Sequence, residues 1–102
     1  MFGTAARVTV QPGKEQEFLT IGEQWARERG PSTGETASYV FKLEHHPSDY
    51  LIVGIFTDRE TYYANAKDPE TDRWYQQLRA TLAGDPEWND GELVQSLTFA
   101  GI

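Results

Sequence analysis

The chain reads as an α+β domain in the order β-α-β-β-α-β. Three observations carry this. Three stretches alternate apolar and polar residues with period two, and a fourth is apolar on both faces. Two others carry helical stripes, one at i, i+3, i+4 and i+7 and one at i, i+4 and i+8, and Gly- or Pro-containing turns separate them. Period two sends alternate side chains to opposite faces of a strand, whereas a 3.6-residue period stripes one face of a helix.

Thr4 to Val10 is the first strand, with Ala6, Val8 and Val10 on one face and Arg7 and Thr9 on the other. Gln11-Pro12-Gly13 is a turn. Lys14 to Arg29 is a helix whose stripe is Phe18, Ile21, Gly22 and Trp25, and Gly30-Pro31 stops it. Thr36 to Glu44 is the second strand, alternating Ala37, Tyr39, Phe41 and Leu43 with Ser38, Val40 and Lys42. A loop over His45 to Asp49 leads to the third strand, Tyr50 to Thr57. Asp58 caps a short helix from Arg59 to about Ala66. Asp68-Pro69 restarts helix, since Asp caps and Pro suits the first helical position. That helix runs to about Ala83 with Trp74, Leu78 and Leu82 in line, and Gly84-Asp85-Pro86 ends it. After a loop over Pro86 to Gly91, Glu92 to Phe99 is the fourth strand, with Leu93, Leu97 and Phe99 on one face. The order is the ferredoxin-like split βαβ: a four-stranded antiparallel sheet with helices on one face. No linker or repeat divides it, so residues 1–102 form one domain.

The third strand raises a difficulty for a lone copy. Leu51, Val53 and Ile55 point one way, and Ile52 and Phe56 the other. Both faces are apolar, yet the helices cover only one. A bare apolar sheet face is rare in monomers. The expectation is a homodimer with two sheets packed face to face.

Composition removes several function classes. Asp and Glu outnumber Lys and Arg, 16 to 9, for a net charge of −7. That balance opposes both the phosphate backbone of nucleic acid and anionic lipid. With no Cys, disulfides, thiolate nucleophiles and Cys-ligated metals are excluded. No apolar run approaches the roughly 18 residues of a membrane span, and Met1-Phe2-Gly3-Thr4 leads directly into a strand. The expectation is a soluble cytoplasmic protein. Aromatic residues make up 13% of the chain, enough large rings to wall a ligand cavity in a small core.

Several pieces resemble the antibiotic biosynthesis monooxygenase superfamily of dimeric α+β barrels. They are the first strand followed by Val10-Gln11-Pro12-Gly13-Lys14-Glu15-Gln16-Glu17-Phe18, the Ser38-Tyr39 strand, and the apolar third strand running into an acidic helix start. The Asn65 to Tyr75 region with its Asp68-Pro69 break is a further match. The superfamily includes cofactor-free quinol and anthrone oxygenases, haem-degrading enzymes and isomerase-like proteins. The resemblance implies a catalytic pair in Tyr62 and Asn65, which stand where the anthrone-oxygenating branch carries a Tyr and an Asn. Tyr62 would hydrogen-bond a substrate oxygen, and Asn65 would donate to a developing phenolate or peroxide. That branch ends its third strand in Trp, where this chain has Phe56. Trp25, Phe56, Trp74 and Tyr39 would bind a flat aromatic substrate.

The remaining candidates carry less. His45 and His46 are adjacent in a turn and point apart, so they do not share a metal. The haem-degrading branch carries a His ligand after the third strand, and residues 58–83 contain none. Neither metal nor cofactor is expected. Asp72, Arg73 and Arg7 read as solvated surface, and Trp88 as rim or dimer edge. No residue stands out as a strong base; His45 serves only if its loop folds over the pocket. The expected activity is oxidation of a quinol-like or polycyclic aromatic by dioxygen without cofactor. The rival is a non-catalytic protein of the same fold that binds a small apolar ligand or serves as a dimer module.

Overall fold

A computed structural model describes residues 1–99. Strand β1 is Phe2–Thr9, helix α1 Glu15–Glu28, strand β2 Glu35–Lys42, strand β3 Asp49–Phe56, helix α2 Arg59–Ala66, helix α3 Pro69–Arg79 and strand β4 Asp90–Glu92. A short 3₁₀ turn, Gly30–Thr33, joins α1 to β2. The strands form one antiparallel sheet in the order β2-β3-β1-β4. This is the ferredoxin-like order expected from the sequence.

Local chemistry accounts for the boundaries. Asp58 accepts from Thr61 N–H at 2.7 Å and caps α2. Asp68 accepts from Glu70 N–H at 2.8 Å, with Pro69 opening α3. Gly34 turns the chain into β2 at φ +87°, and a Cβ there would lie 2.3 Å from the Thr61 methyl. The core sits between sheet and helices. Val8 and Val10 of β1, Tyr50 of β3, Phe18 of α1 and Leu82 are buried together, with Ile52 and Leu78 packed on them. At roughly 1.5–3 kcal/mol for each large apolar side chain, this cluster anchors α1 and α3 to one sheet face.

Two elements depart from expectation. Helix α3 stops at Arg79 rather than Ala83, because the next residues pair with the sheet. Ala83 N–H donates to the Thr9 carbonyl at 2.8 Å and Val10 bridges Leu82, so Leu82 is buried from a turn rather than a helix stripe. The second departure is the fourth strand, which covers Asp90–Glu92 and not Glu92 to Phe99. The antiparallel register pairs Glu92 with Phe2, where β1 begins, and Leu93 N–H to the Met1 carbonyl is the last bond. Residues 94–99 therefore leave the sheet, with Val94 88%, Leu97 68% and Phe99 64% exposed. Their apolar alternation has no partner within the described residues. Among those residues, no helix is long and apolar enough to cross a membrane.

The sheet's two faces differ as β3 predicts. Tyr50, Gly54 and Phe56 are buried towards the helices. On the opposite face Leu51, Val53 and Ile55 are half-buried beside the exposed Tyr39 and Phe41, their register partners on β2.

Candidate ligand cavity

Between α1, α3 and the sheet lies a cavity of about 380 Å³, within the usual range for small-molecule sites. Its lining is mostly apolar. Phe18, Ile21 and Trp25 come from α1, Val40 and Ile52 from the sheet, and Trp74 and Leu78 from α3. The helices bring their stripes together here, and the large rings hold them apart. Trp25 and Trp74 meet edge to face, centroids 6.2 Å apart.

Few polar groups interrupt this surface. One of them is the half-buried Glu35, the first residue of β2. Its Oε1 accepts a 2.9 Å bond from the Trp25 indole N–H. Oε2 makes no hydrogen bond among the described residues. Two glycines leave room for the carboxyl: a Cβ on Gly54 would lie 2.9 Å from Oε2, and one on Gly30 3.2 Å from Oε1. Burial pushes the Glu35 carboxyl above the ordinary glutamate range, and the Trp25 bond offsets part of that shift. Ser38, Thr71 and Tyr75 add hydroxyls to the wall, and Glu23 stands in its α1 side.

Of the six residues expected at the site, the cavity takes two, Trp25 and Trp74. Tyr39 lies on the other face of the sheet, because β2 sends Ser38 and Val40 to the cavity and the odd position away from it. Phe56 and Tyr62 belong to a second aromatic cluster. There Tyr62 stands 5.2 Å from Phe56, 5.3 Å from Phe2 and 5.1 Å from Tyr63 between ring centroids. The Tyr62 hydroxyl donates to Asp90 Oδ1 at 2.7 Å. Burial, reinforced by that carboxylate, holds its proton far more tightly than in an ordinary tyrosine. Asn65 lines a shallow polar cleft with Arg29, Thr61 and Asp68. Its Oδ1 accepts from the Thr71 hydroxyl at 2.5 Å, so it touches the main cavity only through Thr71, which lines it. The Tyr62 and Asn65 side chains thus serve different surroundings although they share one short helix.

His45 and His46 are exposed in the β2–β3 turn and line neither hollow. Trp88 packs on Tyr75 at 6.0 Å and is half exposed, as expected of a rim residue. Arg7 is paired rather than free, since its guanidinium donates to Asp49 Oδ2 at 2.7 Å. Among the described residues, no group of three or more His, Cys, Asp or Glu side chains is placed to hold a metal ion. Sequence reasoning passed over Glu35. The available signal was one acidic residue at the mouth of an otherwise apolar strand, after a glycine and before the expected strand start at Thr36.

The fold and cavity define a class: a ferredoxin-like α+β domain with an aromatic-walled hollow between helices and sheet. No protein-family model matches the chain, and no curated protein matches it significantly in sequence. Solved structures match its fold along nearly the whole length. The cofactor-independent oxygenase SnoaB from Streptomyces nogalater, solved as an asparagine-to-alanine mutant, superposes with TM-score 0.77 at 19% identity. The match covers 94% of this chain and 95% of that one. A protein named as an antibiotic biosynthesis monooxygenase matches with TM-score 0.75 at 14% identity, over 93% and 100% of the two chains. A conserved protein from Methanosarcina mazei Go1 matches with TM-score 0.77 at 18% identity, over 88% and 89%. The chain has the fold of the antibiotic biosynthesis monooxygenases.

Proposed function

We propose that this protein is a cofactor-independent oxygenase acting on an electron-rich phenolic or hydroquinone-type aromatic held against Trp25 and Trp74. One observation carries the proposal: an apolar hollow of ligand size, walled by two indoles, with a half-buried carboxyl in its lining. The fold shared with a cofactor-independent oxygenase supports it.

The chemistry asks little of the protein. An electron-rich phenol that loses its O–H proton becomes an anion able to reduce dioxygen. At a ring methylene the overall exchange is CH₂ plus O₂ to C=O plus H₂O. The C–H bonds break, one oxygen atom stays on carbon, the other leaves as water, and the substrate supplies every electron. The apolar walls lower the local polarity, which strengthens each electrostatic contact with the anion, and the indoles orient the ring.

The active unit in this proposal is a homodimer. The face bearing Tyr39, Phe41 and Val53, together with the exposed Val94, Leu97 and Phe99, is larger than scattered surface apolarity explains. A second copy supplies a matching face by symmetry.

Dioxygen uptake with a panel of naphthohydroquinones and anthrones, run alongside quenching of Trp fluorescence, tests the function. Binding with substrate-dependent uptake is expected. Quenching without uptake on any member would make the protein a carrier of small aromatics instead.

A further inference from the structure

We propose that the Glu35 carboxylate is the proton acceptor for the substrate's phenolic hydroxyl, with the Trp25 indole as its positioning partner. The inference rests on the oxygenase reading above and names the group that reading lacks.

The geometry carries it. Glu35 is a half-buried carboxyl in the wall of a mostly apolar cavity, where burial disfavours its charged form. One oxygen is engaged by the Trp25 N–H at 2.9 Å, which fixes the plane of the carboxyl. The other has no partner among the described residues. Gly54 and Gly30 stand where any side chain would crowd the carboxyl, so the room around it is built into the backbone. A ring lying along Trp25 and Trp74 would bring a hydroxyl at its edge to that free oxygen.

The step is a simple proton transfer. The phenolic O–H bond breaks, the proton goes to Oε2, and the electron pair stays on the phenolic oxygen. The negative charge passes from the carboxylate to the substrate oxygen, and burial, by raising the proton affinity of Glu35, narrows the gap to the phenol that the transfer must cross. A carboxyl displaced upward from the ordinary range is also a better base than a solvated one. The other ionisable groups nearby are Glu23 and Tyr75 in the cavity wall, and Arg29. The Arg29 guanidinium lies 5.9 Å from the Trp25 ring centroid and is tied to Asp68 at 3.0 Å. None of these makes a hydrogen bond to Glu35 among the described residues, so its second oxygen is open to a substrate hydroxyl that displaces solvent.

The test compares wild type, Glu35→Gln and Glu35→Asp at equal folded fraction. The probes are a naphthohydroquinone and its dimethyl ether, which has the same ring and no proton to give. Wild type is expected to bind the hydroquinone at least about tenfold more tightly than the ether, as a charge-assisted hydrogen bond allows. Glu35→Gln should bind the ether as well as wild type does, lose most of that preference, and take up dioxygen about 10²–10⁴-fold more slowly. Glu35→Asp should recover part of the rate. The wild-type rate should fall on acidification along one ionisation that Glu35→Gln lacks. Unchanged preference and rate in Glu35→Gln would overturn the assignment. If wild type binds both probes without dioxygen uptake, the oxygenase reading fails by itself. The Glu35 contact then stands if the preference for the hydroxyl disappears in Glu35→Gln, and falls if it persists.

Discussion

Two aromatic clusters lie against the same sheet face, and they end differently. At one end Phe2, Phe56, Tyr62 and Tyr63 close on one another with centroids 5.1–5.6 Å apart, and Arg59 lies 5.0 Å from the centre of the Tyr63 ring. At the other end Trp25 and Trp74 touch only edge to face beside a hollow that Glu35 helps to line. In the closed cluster the rings pack on one another and the Tyr62 hydroxyl is engaged by Asp90. In the hollow one, an acceptor remains free. Ring count alone does not make a site; a site needs rings held apart and a polar group left without an internal partner.

The largest expected effect breaks the frame in which both clusters sit. Val53→Asp places a charge on the uncovered sheet face, where burial against a second copy would cost several kcal/mol. Sedimentation should show a dimer for wild type and a monomer or aggregate for the variant. A wild-type monomer at micromolar concentration would remove the dimer proposal.

Trp74→Ala opens the hollow end. Trp74 is only half-buried, so stability should fall by about 1–2 kcal/mol, below the roughly 3–5 kcal/mol of a fully buried Trp. Aromatic ligand binding should weaken at least about tenfold. A titration of ligand by Trp25 fluorescence, beside a denaturant melt, separates the two.

Glu35→Gln sharpens the contrast through pH. The folded-state carboxyl titrates above its unfolded value. In acid, both states carry the neutral acid and nothing is lost. As pH rises past the ordinary glutamate value, the unfolded chain ionises first, so the wild type loses stability until Glu35 ionises in the fold as well. The melting temperature of Glu35→Gln should therefore gain on that of wild type as pH rises through and above the ordinary glutamate range. A variant that is more stable and less active would mark a group held at a cost for function. A gain that shrinks with rising pH would contradict the upward shift.

The smallest effect belongs to the closed cluster. Tyr62→Phe loses one hydrogen bond to Asp90, worth about 1 kcal/mol at most at this partly exposed position. Turnover should stay within about twofold of wild type, because the hydroxyl does not line the cavity. A hundredfold loss in dioxygen uptake would move the chemistry to Tyr62 and away from Glu35.

Much of this molecule follows from sequence alone. The spacing of Ala6, Val8 and Val10, the stripe of Phe18, Ile21 and Trp25, and the Asp58 and Asp68-Pro69 caps determine the first strand, α1, α2 and the start of α3 within a residue or two, because those signals act through neighbours along the chain. The two-faced β3 likewise exposes the bare sheet face before any coordinates exist. Pairing is another matter. Whether 93–99 join the sheet depends on where β1 begins, a partner about 90 residues away in sequence, and alternation cannot report that. The same limit governs the site. Tyr39 and Val40 are equally plausible pocket residues until register assigns each a face, and Tyr62 is a free phenol until Asp90 arrives beside it. Glu35 becomes a candidate only when Gly30, Gly54 and Trp25, from three separate elements, converge on its carboxyl. Local propensity writes the elements; burial and the count of partners for each polar atom are properties of the packed chain, and they decide which residues can act.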